Sequence, residues 1–111
     1  MRHARFIPAV EYINANRIRP QLMQAMGELM SQIDVLVTTS FGNAGLLITN
    51  LTGHPAVAIP NALLPVDGFP DRRAPHSITF VAPLWGEHHA LRLAHAVQEA
   101  TEVHRQRPPV S

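Results

Sequence analysis

Apolar residues recur at helical spacing through the first third of the chain. These residues are Val10, Ile13, Ile18, Leu22, Met26, Leu29 and Ile33. Apart from one irregular step between Ile13 and Ile18, the spacings are three or four residues, as in an α-helix, and the pattern predicts a helix over Pro8–Gln32. Pro8 suits the first turn, where the missing N–H costs nothing. Pro20 lies inside the helix and should kink it or split it into two.

The hydrophobic pattern then changes to short apolar runs. Asp34–Thr39 is β-branched and predicts a strand, and Ala44–Leu51 predicts a short helix. Ala56–Ile59 has no polar alternation, which is typical of a strand buried on both faces. Gly53 can take the positive φ that ends a helix, and Pro55 prevents the helix from resuming. Together these features predict a strand–helix–strand crossover with parallel strands.

The remaining pattern predicts a loop, a third strand and a closing helix. Residues 61–76 are rich in Pro, Asp and Gly and should form a surface loop. Ser77–Val81 is the third strand, and its pairing with Ala56–Ile59 would make a long antiparallel hairpin. The last helix opens at Gly86 and buries a stripe of four residues: Leu91, Ala94, Val97 and Ala100. The predicted fold class is therefore α/β, a three-stranded mixed sheet with a long N-terminal helix and a C-terminal helix.

Composition narrows the class of protein. The 111 residues fit one domain. A hydrophobic share of 46% with only 15% charged residues suggests that further protein covers part of the surface in the functional molecule. A net charge of +1 gives no electrostatic footprint for nucleic acid or membrane lipid. With no membrane-length apolar run and no signal-peptide pattern, we expect a cytoplasmic protein.

The residue types also limit the chemistry. The chain has no cysteine and no lysine, so its side chains offer neither a thiol nor a neutral amine as base or nucleophile. None of its serines lies in a G-x-S-x-G elbow; they are Ser31, Ser40, Ser77 and Ser111. A serine nucleophile would need His54 or His76 beside it in three dimensions, and the alternative is that the serines serve in caps and turns.

Three histidines on the last predicted helix raise the possibility of a metal site. His88 and His95 lie two turns apart, with His89 next to the first. Helical metal pairs usually sit three or four residues apart. A polar helix surface is the simpler interpretation, and we predict neither a metal nor a cofactor.

Four features, in order, resemble a known family. A helix with Arg17 and Arg19 leads into DVLVTT (Asp34–Thr39). NLTGHPAVAIPN (Asn50–Asn61) follows, and later come SITFVAPLWGEHHALRLAHAVQEAT and HRQRPP (His104–Pro109). The series is similar to the C-terminal segment of amidase signature family enzymes. The chain departs from the family pattern at two positions: Thr39 replaces a usual Pro, and Ala82 replaces a common Gly.

The resemblance implies the C-terminal portion of the amidase signature fold and a parent activity, hydrolysis of a C–N amide bond. The family uses a Ser–cis-Ser–Lys triad from a Gly/Ser-rich stretch upstream of this region. This chain has no such stretch, so no catalytic residue carries over. We expect residues 1–111 to be a single partial domain, inactive alone. Its partner would be the missing N-terminal amidase segment, with a small amide substrate bound only in the completed enzyme. The alternative is a free-standing, non-catalytic interaction module that self-associates.

Two segments are predicted to wall a substrate pocket in the completed enzyme. The first follows the first strand, because ligands of α/β sheets lie beyond the carboxyl ends of parallel strands. The second is the turn that ends the short helix. The predicted wall residues are Thr38, Thr39, Ser40, Phe41, Asn50, Thr52, Gly53 and His54.

Overall fold

The computed structural model describes residues 6–106. Residues 1–5 and 107–111, which include the end of the HRQRPP segment (His104–Pro109), lie outside the described residues. The chain folds as α/β, with three helices and a three-stranded antiparallel sheet. The elements are α1 (Ala9–Met30), β1 (Leu36–Thr39), α2 (Gly45–Thr52), β2 (Ala56–Val66), β3 (Phe69–Val81), α3 (Glu87–Thr101) and a 3₁₀ turn (Val103–Arg105).

The long first helix is confirmed, and Pro20 does not split it. α1 runs for 22 residues without interruption, with Pro8 immediately before its first turn. Only Met26 and Met30 are buried, whereas every residue from position 9 to position 21 is exposed. The last third of α1 therefore holds the helix to the sheet.

The sheet has β3 at its centre, in the order β1-β3-β2. Both outer strands pair antiparallel with β3, and Val81 lies opposite Leu36 on one side and Ala56 on the other. β1 and β2 therefore run in the same direction, as expected for the predicted strand–helix–strand crossover. The prediction of a mixed sheet is wrong, however, because β1 and β2 are not neighbours. α2 carries the chain across two strand spacings, about 9.6 Å, and β3 lies between β1 and β2.

The predicted surface loop over residues 61–76 is also wrong. These residues form the outer parts of β2 and β3, a hairpin that turns at Asp67 and Gly68. Gly68 has a φ of +78°, which glycine adopts without steric cost. β1 pairs only with residues 78–81 of β3, so the outer part of the hairpin has free edges. Proline is tolerated there because no ladder hydrogen bond is required of its nitrogen.

Two small apolar clusters lie on opposite faces of the sheet. Phe80 packs with α3 through Ala90 and Ala94, and the neighbouring Val81 packs with α1 through Met26 and Met30. The faces alternate because successive side chains of a strand point to opposite sides. The three-layer order is therefore α1 and α2, the sheet, then α3.

The burial of β2 and α3 differs from the sequence pattern. Along Ala56–Ile59 exposure alternates, with Ala56 and Ala58 exposed and Ile59 buried. The prediction of a strand buried on both faces is therefore wrong. In α3 the predicted Ala94 is buried, but Leu91 is exposed.

The molecule is more open than a compact domain of its length. Its Cα radius of gyration is 18.0 Å, against about 13 Å expected for a compact domain of this size. Its extents are 52 × 37 × 18 Å. The accessible surface is 8883 Å², against about 6,100 Å² for a compact monomer of the same mass. The elements thus form a thin layered body that leaves much apolar surface open.

None of the helices in the described range is long and apolar enough to cross a membrane.

Candidate functional site

The predicted pocket walls lie toward opposite ends of β1 and of α2. Because Leu36 and Ala56 share Val81 as their partner, β1 and β2 begin at the same end. Thr39 ends β1 at the far end, whereas Gly53 follows α2 and leads into β2. The eight residues of α2 span about 12 Å at 1.5 Å per residue. The two predicted groups therefore do not meet in one small pocket.

The first group forms a hydroxyl cluster at the carboxyl end of β1. The Ser40 Oγ lies 2.7 Å from Thr79 Oγ1 on the central strand. The Asn43 side-chain amide donates to Thr38 Oγ1 at 2.9 Å and to Thr39 Oγ1 at 2.7 Å. Its carbonyl oxygen accepts the Gly45 N–H at 2.7 Å, where α2 begins. The cluster fixes the turn between β1 and α2.

The space beneath this cluster is small. A cavity of about 30 Å³ lies between Thr38–Ser40, Thr79 and α2. That volume matches the space of about one water molecule, so the cavity does not accommodate an amide substrate. Phe41 lies outside it, with 80% of its surface exposed. Any substrate contact of this group would therefore be made on its outer surface.

The second group forms a buried polar turn at the end of α2. Thr52 Oγ1 donates to the Ile48 carbonyl at 2.9 Å, and His54 Nδ1 lies 2.8 Å from the same hydroxyl. Since the hydroxyl has one hydrogen and donates it to Ile48, His54 Nδ1 must carry the proton of the second bond. Burial lowers the pKa of His54, so the neutral imidazole is favoured.

Gly53 and Asn50 complete the picture of this turn. Gly53 has a φ of +81°, and its N–H bonds to the Thr49 carbonyl at 2.8 Å, which closes α2 as predicted. Asn50 is exposed on the helix surface. The turn is thus a helix cap with a buried histidine, and Asn50 lies outside it.

The described residues do not form the serine–histidine pair that a serine nucleophile would need. Ser40 follows the carboxyl end of β1, whereas His54 precedes β2 at the end where β1 begins, and Ser31 donates to the Glu28 carbonyl at 2.7 Å. His76 and Ser77 are neighbours along β3, where successive side chains point to opposite faces. No serine–histidine pair is formed among residues 6–106.

The histidines of α3 do not gather further ligands. The rings of His88 and His89 lie 4.0 Å apart, between centroids. In the part of the chain that the structure describes, no three His, Asp or Glu side chains are grouped so as to hold a metal ion.

Two features of the structure were not predicted from the sequence. Arg19 Nε donates to the Leu51 carbonyl at 2.6 Å and ties α1 to the last turn of α2. A cleft of about 790 Å³ also lies between the hairpin and the C-terminal 3₁₀ turn. Arg72 stands over the Phe69 ring in its wall, 4.9 Å from the centroid. The cleft could not be predicted, because its walls were assigned to a loop.

Comparison with known proteins gives a distant similarity. The chain is similar to AmiD over almost its whole length. It is 28% identical over 120 residues to the protein named "Putative amidase AmiD" in Mycobacterium bovis, and equally to that of Mycobacterium tuberculosis. The match covers 94% of this chain and 25% of the relative. The chain thus spans a quarter of the length of the curated relatives it matches.

The other comparisons give no match. No family model matches the chain, and no solved structure matches it.

Proposed function

We propose that this chain is the C-terminal segment of an amidase-type hydrolase, and that it completes the fold of a longer catalytic unit. The observation that carries this proposal is the match of nearly the whole chain to one quarter of AmiD. The open architecture supports it, because a thin layered body with free sheet edges needs further structure to cover it.

The parent reaction is hydrolysis of a C–N amide bond. This chain contributes no amine base, and Ser31 and Ser40 are held by hydrogen bonds. Ser77 lies on the opposite face of β3 from the neighbouring His76. The nucleophile and the base therefore come from the rest of the enzyme. We expect the isolated chain to be inactive and to need no cofactor of its own. A cytoplasmic location remains a prediction from the sequence.

The pocket walls remain predictions, and the structure gives the position of each group. Thr38, Thr39, Ser40 and Phe41 would border a ligand at the carboxyl end of β1. Asn50, Thr52, Gly53 and His54 lie toward the other end of α2, a helix of eight residues and about 12 Å. A small amide in the completed enzyme would therefore contact one group directly, and the hydroxyl cluster is the better candidate because its Phe41 and Thr39 are exposed.

A second candidate function is a non-catalytic module that self-associates. The exposed apolar side chains favour it, because two copies could cover each other. Sedimentation of the purified chain separates the two functions. A discrete oligomer that melts cooperatively would favour the module.

The amidase proposal is tested with a chimera of M. tuberculosis AmiD whose matched quarter is replaced by this chain. We expect the chimera to release ammonia from a panel of primary amides, with intact AmiD measured on the same panel as the reference. AmiD without its matched quarter, and this chain alone, are the controls and should both be inactive. A folded but inactive chimera, or activity in the isolated chain, would contradict the proposal.

A further inference from the structure

We infer that one end of the molecule is a docking surface for the three-quarters of an amidase that lie outside the matched segment. This end surface consists of Leu51, Leu84, Trp85 and the first half of α1, residues 9–21. The inference rests on the proposed function and adds to it the place where the two parts meet.

Contacts bring these elements to the same end of the sheet. Arg19 donates to the Leu51 carbonyl, so the exposed half of α1 leaves the body beside the last turn of α2. A Cβ on Gly53 would lie 3.9 Å from Leu84 Cδ2, which places the segment after β3 against the same turn. This is the end at which β1 and β2 begin. The end surface is therefore built from three chain segments.

Trp85 is the most exposed of the large apolar residues on the end surface. It is 88% exposed and has a φ of +65°. A left-handed backbone costs energy for a bulky residue and persists only where the surroundings impose it. Tryptophan is also the residue type most enriched among interface positions that dominate binding. The turn after β3 thus places a large apolar side chain in solvent.

The first half of α1 has an apolar face turned away from its own sheet. At 100° per residue, Val10 lies about 160° around the helix from both Met26 and Met30, the residues that attach α1. Val10 is 57% exposed, and Phe6, Ile7 and Ile13 are exposed as well. Since Met26 and Met30 face this chain, the side of α1 that carries Val10 is open to a second body.

The area indicates that the second body is large. The accessible surface of 8883 Å² exceeds that of a compact monomer by about 2,800 Å². An allowance of about 1,600 Å² for the ten residues outside the described range still leaves about 1,200 Å². An obligate interface buries about 1,000–2,500 Å² per partner. The part of an amidase outside the matched quarter, three times as long as that quarter, would supply such a partner.

The test uses the tagged full-length chain, co-expressed with AmiD that lacks its matched quarter. Capture of the AmiD part on the tag, and ammonia release by the captured complex, are measured together. We expect Val10→Glu and Trp85→Glu each to reduce capture at least tenfold. Leu64→Glu is the matched control, since Leu64 is 43% exposed and lies toward the hairpin turn, away from the end surface. Circular dichroism melts confirm that each variant is folded.

The outcomes separate the two proposals. Capture that falls in the Val10 and Trp85 variants but not in the Leu64 variant supports the end surface. Unchanged capture in those variants, with an active complex, overturns the end surface and leaves the amidase function standing. A captured but inactive complex overturns the function and leaves the surface. If the chain instead forms a homodimer that Val10→Glu and Trp85→Glu break, the occupant is a second copy. Absence of any complex overturns both proposals.

Discussion

Gly53 shows how one residue type decides where an element ends. Its φ of +81° closes α2, and an alanine there would be strained. We expect Gly53→Ala to lower the free energy of unfolding by about 1 kcal/mol. Gly27→Ala is the control, because Gly27 lies inside α1 and a Cβ there meets nothing within 4 Å. It should stabilise the protein by up to about 1 kcal/mol.

Urea unfolding of both glycine variants gives the comparison. Opposite signs are expected. Equal effects at the two positions would mean that the backbone of Gly53 relaxes when a side chain is added.

His54 should make stability depend on pH. Burial lowers its pKa below the ordinary 6.5, so the folded state binds fewer protons than the unfolded chain as the pH falls. Its stabilising contribution is complete above the unfolded pKa and is lost as the pH falls through the folded one. We expect the melting temperature to drop between about pH 7 and pH 5.

The variant His54→Gln should flatten that pH dependence, because it removes the titrating group. His95→Gln is the matched control, since His95 is exposed on α3, and it should keep the wild-type slope. If both variants follow the wild-type curve, other groups govern the pH dependence.

At this scale the sequence could predict conformation better than contacts. Gly53 and Pro55 marked the end of α2 because their backbone preferences are local properties. The bond from Arg19 to Leu51 joins residues 32 positions apart and leaves no local pattern. The same holds for the separation of the two groups of predicted wall residues, which depends on how α2 crosses the sheet.

The elements are held together mainly through the central strand. Phe80 is 1% exposed and anchors the cluster under α3, whereas its partner on β1, Val37, is half-exposed. We expect Phe80→Ala to cost about 3–5 kcal/mol, because it removes a buried ring and leaves a cavity. That loss would consume much of the stability of a small domain, about 5–15 kcal/mol.

Val37→Ala is the control for Phe80→Ala, because the two residues face each other across the ladder. It should cost less than about 0.5 kcal/mol, as exposed substitutions usually do. Denaturant melts compare them, and similar losses would show that the described core is not the stabilising one.

The helices and β1 could be predicted because apolar periodicity and the glycines and prolines at the ends of elements are local signals. The hairpin could not, since its four prolines and its glycine have the composition of a loop. Those prolines at positions 60, 65, 70 and 75 lie on free edges, where a strand tolerates them. The place of β3 between β1 and β2 was missed for a related reason: pairing partners are set by the whole sheet.

At the scale of the whole molecule, the isolated chain should be as open in solution as its architecture indicates. Small-angle scattering of a dilute monomer should give a radius of gyration near 18.0 Å, well above the value of about 13 Å for a compact domain. Leu64→Glu leaves the end surface intact, so it should associate with itself to the same extent as the unmodified chain and serves as the control for self-association. A value near that of a compact domain would mean that α1 folds back onto the sheet.

The central position of β3 has a consequence for synthesis on the ribosome. β1 and β2 are made first, yet neither pairs with the other, and the partner of Thr39 is Ile78, made 39 residues later. At about 5–20 residues per second, β1 waits for some seconds before any ladder can form on it. The hairpin can close soon after its own turn emerges, whereas β1 gains its partner only when residues 78–81 have been made. During that interval the emerging apolar strands are open to chaperones, and to any partner that is already folded.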